Sequence, residues 1–221
     1  MRTVPVPPER LVRWCDNFAA RHGATAFAVV DGRLLLTADD GESASVALPW
    51  ERSYDGQPDP GLVAAAASEP LLWGVLLVRK GGFAVALLDG EQVLASKVGQ
   101  RHVQGRTKAG GQSQQRFARR RDNQARQAYE AAADHAHRIL VGEAARPPEV
   151  LVCGGDHAAV DAVLADPRFE RLPAHHAADH RSDRLADRVV DPWLPVPDPR
   201  RSVLEDAVAT AGSLQITLSP G

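Results

Sequence analysis

The sequence predicts a mixed-sheet α/β domain preceded by a small N-terminal α+β module. Three observations carry this. Apolar stretches pair up as hairpins between Ala26 and Val98, helical and extended patterns alternate after Ser113, and a turn-rich stretch from Tyr54 to Gly61 separates residues 1–66 from 67–221. Strands that are first antiparallel and then interleaved with helices build a mixed sheet.

Each element follows from its local pattern. Pro7-Pro8-Glu9 starts a helix whose apolar positions are Leu11, Val12, Cys15, Phe18 and Ala19, and Gly23 caps it. Ala26 to Val30 and Arg33 to Thr37 flank Asp31-Gly32, the signature of a hairpin, and a third strand over Ser45 to Leu48 completes a small sheet. A short Ala-rich helix, Leu62 to Ala67, bridges to the second unit. There, Leu71–Val78, Phe83–Leu88 and Glu91–Val98 are joined by Arg79-Lys80-Gly81-Gly82 and Asp89-Gly90, which predicts a three-stranded meander.

Gly99 to Gly111 is a polar loop with four glycines and nothing apolar larger than Val103, so it is a candidate functional arm. From Ser113 to Val141 a long helix is expected, with Phe117, Ala125, Ala128, Ala132, Ala136 and Ile139 on one face. Glu149 to Cys153 reads as a strand, Gly154-Gly155 as a turn, and Asp156 to Ala165 as a helix with Asp156 as its N-cap. A strand at Arg188 to Val190, a proline-rich crossing from Pro192 to Pro199, a helix from Ser202 to Ala211 and a last strand from Leu214 to Leu218 complete the chain. Trp193, among those prolines, is expected to be a packing anchor.

Composition bounds the class. With 221 residues, 44% hydrophobic and 24% charged, the chain fits one large domain, or one domain with a small appendage. It has no apolar run of membrane-spanning length and no signal-peptide core between Met1 and Arg13, so a cytoplasmic protein is expected. Cys15 and Cys153 stand too far apart for a zinc knuckle and are read as buried thiols.

Charge is where the sequence speaks about function. Between Lys97 and Arg126 there are nine cations and one anion, a net of +8, while the rest of the chain sums to −10. A compact basic stripe on an acidic protein is the footprint of a polyanion site; the plainer alternative is a solvated, Arg-rich helix face. The 23 Arg against 3 Lys weaken any argument from arginine alone. Gly110-Gly111-Gln112, set within the stripe, favours the first reading. Two glycines admit backbone where no side chain fits, and a glutamine amide offers a neutral donor and acceptor.

A strand meander, a glycine-rich loop ending in Gly110-Gly111-Gln112-Ser113, then Arg116-Phe117-Ala118-Arg119-x-Arg121 and a long helix resemble the middle domain of eukaryotic and archaeal class I translation release factors. The likeness runs from about Leu71 to Leu172 and implies an RNase H-like fold. Residues 1–66 hold no Asn-Ile-Lys-Ser stop-codon motif, so the chain is more similar to the Vms-like release factor group. Thr107-Lys108-Ala109 is an insertion relative to the release factors.

The resemblance implies codon-independent hydrolysis of peptidyl-tRNA on stalled ribosomal complexes, at the peptidyl transferase centre of the large subunit. Gly110, Gly111 and Gln112 are the expected catalytic residues. Arg101, Arg106, Lys108, Arg116, Arg119, Arg120, Arg121 and Arg126 are expected to contact tRNA or rRNA phosphates. No cofactor, metal or membrane is expected. A noncatalytic rescue factor that uses the basic arm only to dock is the alternative. His175, His176 and His180 lie among Asp179, Asp183 and Asp187 but on no element that would fix a metal, and Cys153-Gly154-Gly155-Asp156 matches neither common nucleotide fingerprint.

Overall fold

The computed structural model describes residues 2–80, 82–100, 126–142, 144, 146–172 and 182–219. Its contacts divide the chain into two compact units, one formed by Met1–Pro70 with Val208–Gly221 and the other by Leu71–Ala207.

In the first unit, strand β1 (Arg2–Val6) leads through a short 3-10 turn, Pro8–Arg10, into helix α1 (Leu11–His22). Leu11, Cys15 and Phe18, spaced four and three apart, form its buried face. Gly23 ends the helix at φ +93°, donating its N–H to the Ala19 carbonyl at 2.9 Å. Strands β2 (Thr25–Val30) and β3 (Arg33–Ala38) form the expected hairpin, and Asp31 and Gly32 both take positive φ, as a primed two-residue turn requires. Strand β4 (Ser43–Ala47) follows, and helix α2 (Pro60–Ala67) is capped by Asp59, whose carboxylate accepts from the Leu62 N–H at 2.9 Å.

The sheet order in this unit is β1-β10-β4-β3-β2, antiparallel throughout, where β10 is Leu214–Ser219. The last strand thus lies between β1 and β4, with Ile216 opposite both Val4 and Val46. The expected division at 66/67 puts this strand with the second unit, but Leu214 and Ile216 are fully buried in the core built by Leu11, Cys15, Phe18, Leu34, Leu36 and Val46.

The second unit contains a five-stranded mixed sheet in the order β7-β6-β5-β8-β9. Strands β5 (Leu72–Arg79), β6 (Gly82–Asp89) and β7 (Gln92–Gln100) form the antiparallel meander. β8 (Val150–Gly155) runs parallel to β5, and β9 (Val189–Leu194) parallel to β8. β5 and β6 are buried at all but their last positions, as strands covered on both faces must be. Helix α3, described over residues 126–137, buries Ala132, Ala133 and Ala136 and runs into a π-helical turn, Arg138–Gly142, that buries Ile139 and Leu140. Helix α4 (His157–Leu164) follows β8, and helix α5 (Arg201–Ala211) follows β9, with the boundary between the units falling within α5.

Three local expectations need correction. Gly154-Gly155 is not a turn: both residues end β8, where Gly154 lies between Leu77 and Leu194, and a Cβ on it would meet the Leu194 carbonyl. The strand expected at 188–190 begins at Val189 and continues through Pro192 to Leu194, at the sheet edge where proline is tolerated. Asp156 occupies the N-cap position of α4 but makes no side-chain cap. Among the described residues, no helix is long and apolar enough to cross a membrane.

Candidate functional site

Gly110, Gly111 and Gln112 lie, in sequence, between β7 and α3. Arg101, Arg106, Lys108, Arg116, Arg119, Arg120 and Arg121 share this segment, and all lie outside the described residues, as do His175, His176, Asp179 and His180. Arg126 is the one named RNA-contact candidate that is described; it is exposed, in the first turn of the described part of α3. What the fold defines is the frame at the two roots of this segment, the end of β7 and the described start of α3.

At the first root, β7 extends to Gln100, so Gly99 belongs to the strand and not to the loop. Gly99 pairs with Phe83, whose ring occupies the space a Cβ on Gly99 would need. This glycine therefore serves packing, whereas Gly105, Gly110 and Gly111 lie outside the described residues. At the second root, Ala128, Tyr129 and Ala131 of α3 share with Val78, Phe83 and Gly99 the walls of a mainly apolar cleft of about 280 Å³. The described start of α3 is thereby placed beside the ends of β5 and β7.

A charged cluster surrounds this point. Arg79, the last residue of β5, donates to the Val196 carbonyl at 3.0 Å, and its Nε stands 3.7 Å from Asp156 and 3.9 Å from Asp198. One guanidinium thus ties the β5 end to the start of α4 and to the stretch after β9. Burial, and then the Asp156 carboxylate, push the Tyr129 phenol above its ordinary value, so it stays protonated at neutral pH. Trp193 stacks on His157 with ring centroids 3.6 Å apart and donates its indole N–H to the Gly155 carbonyl at 3.3 Å. It is an anchor, as its setting among prolines predicts.

Further along α3, a second clamp forms. Arg168 donates to both carboxylate oxygens of Asp166, each at 2.8 Å, and stands 2.8 Å from Asp134 of α3. The guanidinium holds Asp166 down to about 2. His135 stacks on Phe83 at 5.3 Å, and its Nδ1 is 2.9 Å from Arg138; burial, with the Arg138 and Lys97 charges, favours its neutral form. Sequence reasoning passed over Arg79 and Arg168. The signals were a basic residue closing a strand and Asp166-Pro167-Arg168, a compact turn that puts acid and base on one side.

Among the described residues, no three His, Cys, Asp or Glu side chains are grouped to hold a metal ion. Cys15 and Cys153 are buried thiols, both pushed up to about 12 by burial.

Residues 72–217 match the family model described as the Actinobacteria/Chloroflexi VLRF1 release factor. The chain belongs to this VLRF1 family. The match begins at the first residue of β5 and ends within β10, so the VLRF1 region includes the whole mixed sheet and the strand that returns to the first unit. It also spans Gly110-Gly111-Gln112, in agreement with the Vms-like release factor group that this stretch of sequence resembles. A solved structure described as "Vms1 mitochondrial localization core" is 10% identical, with a TM-score of 0.38, covering 96% of this chain and 84% of that one. No curated protein matches the chain.

Proposed function

We propose that this VLRF1-family protein hydrolyses the ester of peptidyl-tRNA on stalled ribosomal complexes, without reading a codon, and so frees the nascent peptide. The carrying observation is the position of Gly110-Gly111-Gln112: inside the family match, between a strand and a helix whose junctions with the fold are both packed. A rescue factor of this kind works in the cytoplasm, on the large subunit at the peptidyl transferase centre. The strand order β7-β6-β5-β8-β9, with β8 and β9 parallel to β5, supports an RNase H-like assignment for the catalytic unit.

The chemistry asks little of the protein. The ester is already activated, and one water must be admitted and oriented. Gln112 does not titrate near neutrality and so is not a general base; its amide orients water and excludes other nucleophiles. Its backbone N–H donates to the developing oxyanion or to the departing ribose oxygen. Gly110 and Gly111 allow the backbone to approach closely enough to do so. Arg101, Arg106, Lys108, Arg116, Arg119, Arg120, Arg121 and Arg126 hold tRNA and rRNA phosphates, which makes binding weaken as salt rises.

The test is release of labelled peptide from ribosomal complexes that carry peptidyl-tRNA and no stop codon. Wild type is expected to release peptide, while Gln112→Ala and Gly111→Ala lose at least about tenfold in rate with unchanged folding and ribosome binding. Equal activity, or equal inactivity, of wild type and Gln112→Ala overturns the mechanism.

A further inference from the structure

Among the described residues, four strands form the outer edges of the two sheets: β1 and β2 in the first, β7 and β9 in the second. Edge strands carry unpaired backbone groups and are normally blunted by proline, charge or irregular pairing. β1 contains Arg2 and Pro5, β9 contains Asp191 and Pro192, and β7 contains Lys97 and an irregular register against β6. β2 reads Thr-Ala-Phe-Ala-Val-Val, with no proline, no charge and an unbroken register against β3.

The direction of its free backbone groups follows from the hairpin. Val30 and Arg33 flank the two-residue turn, and Asp39 donates to the Ala24 carbonyl, so the even-numbered residues of β2 exchange hydrogen bonds with β3. The N–H and C=O groups of Thr25, Phe27 and Val29 therefore point to the open side. Phe27 and Val29 are only partly buried against the core, and Val30, on the opposite face, is 48% exposed.

We propose that β2 is a self-pairing edge through which two copies of this chain associate. An antiparallel pairing with Phe27 opposite Phe27 of the second copy, and Thr25 opposite Val29, brings the outward groups of all three residues into register. A dyad perpendicular to the sheet keeps like faces together, so the half-covered Phe27 rings meet and the core side continues across the seam. A neutral strand offers no charge to select a foreign acidic or basic peptide, whereas a second copy supplies the same length, twist and pattern of faces. One strand seam is smaller than a standard stable interface, so the dimer is weak and forms only at high concentration.

Sedimentation equilibrium of the full chain, from micromolar to millimolar protein, tests this. The average mass is expected to rise from 23.7 kDa toward twice that value. Val29→Pro deletes an outward N–H without removing a bond to β3, and Phe27→Lys sets two ammonium groups against each other on the dyad; both are expected to stay monomeric with unchanged circular dichroism. If Val29→Pro fails to fold, Phe27→Lys decides. Leu62→Ser, on another exposed apolar site, is expected to dimerise like wild type. A wild type that stays monomeric to millimolar concentration, or a Phe27→Lys variant that dimerises equally well, overturns the proposal. So does a dimer abolished by Leu62→Ser alone.

Discussion

The two sheets each have five strands, yet they are buried in different ways. In the first unit, β3 and β4 alternate buried and more open positions, one face of the sheet meeting the core. In the second, β5 and β6 are closed off at nearly every residue on both faces. The difference bears on the proposed work of each. A sheet buried on both faces is a stiff base for the proposed catalytic segment between β7 and α3, while a sheet with one solvated face and an unblunted edge has surface left for association.

The widest gap between the two regions should appear in stability. Leu76→Ala, at a site with no exposure in β5, is expected to cost about 2–5 kcal/mol in urea unfolding. Leu35→Ala, a half-buried position on β3, should cost less than about 1 kcal/mol. Comparable losses would break the contrast. Gly155→Ala should fall nearly as far as the first, about 2–4 kcal/mol, because φ is +94° and the new Cβ meets the Val78 carbonyl.

Helix caps sharpen the comparison at a smaller scale. Asp59→Ala removes a real cap from α2 and should cost about 1 kcal/mol. Asp156→Ala, at the cap position of α4, should cost less, since its carboxylate faces Arg79 instead. Thermal melts of both variants rank the two.

The smallest effect concerns pH. The folded protein holds Asp166 at about 2, below its ordinary 3.8, so its contribution is present above about pH 4 and is lost as pH falls toward 2. The group is near the surface, so that contribution stays below about 1 kcal/mol. Asp166→Asn should melt slightly below wild type at pH 6, and the two curves should converge near pH 2. A gap that persists in acid would show that packing, not charge, is responsible.

Much of the fold was legible because it is local. The Asp31-Gly32 hairpin, the meander from Leu72 to Gln100 and the buried stripe of α1 each depend on residues a few positions apart. The proposed site rests on the same kind of local signal: Gly110, Gly111, Gln112 and the cations around them form one continuous stretch of sequence. Gly99 was misassigned to that stretch because its purpose, room for the Phe83 ring, comes from a neighbouring strand. Asp156 was read as a cap because the sequence shows its place before a helix but not Arg79 from β5 beside it.

By itself, then, the sequence determined the hairpins, the helical faces and the candidate catalytic tripeptide, since periodicity and turn chemistry act over short distances. The tertiary structure alone decided that β10 joins β1 and β4, that β8 lies parallel to β5, and that Arg79 and Arg168 tie separate elements together. Those pairings bring together residues from distant parts of the chain, and burial of matching apolar faces, which no local pattern encodes, selects them.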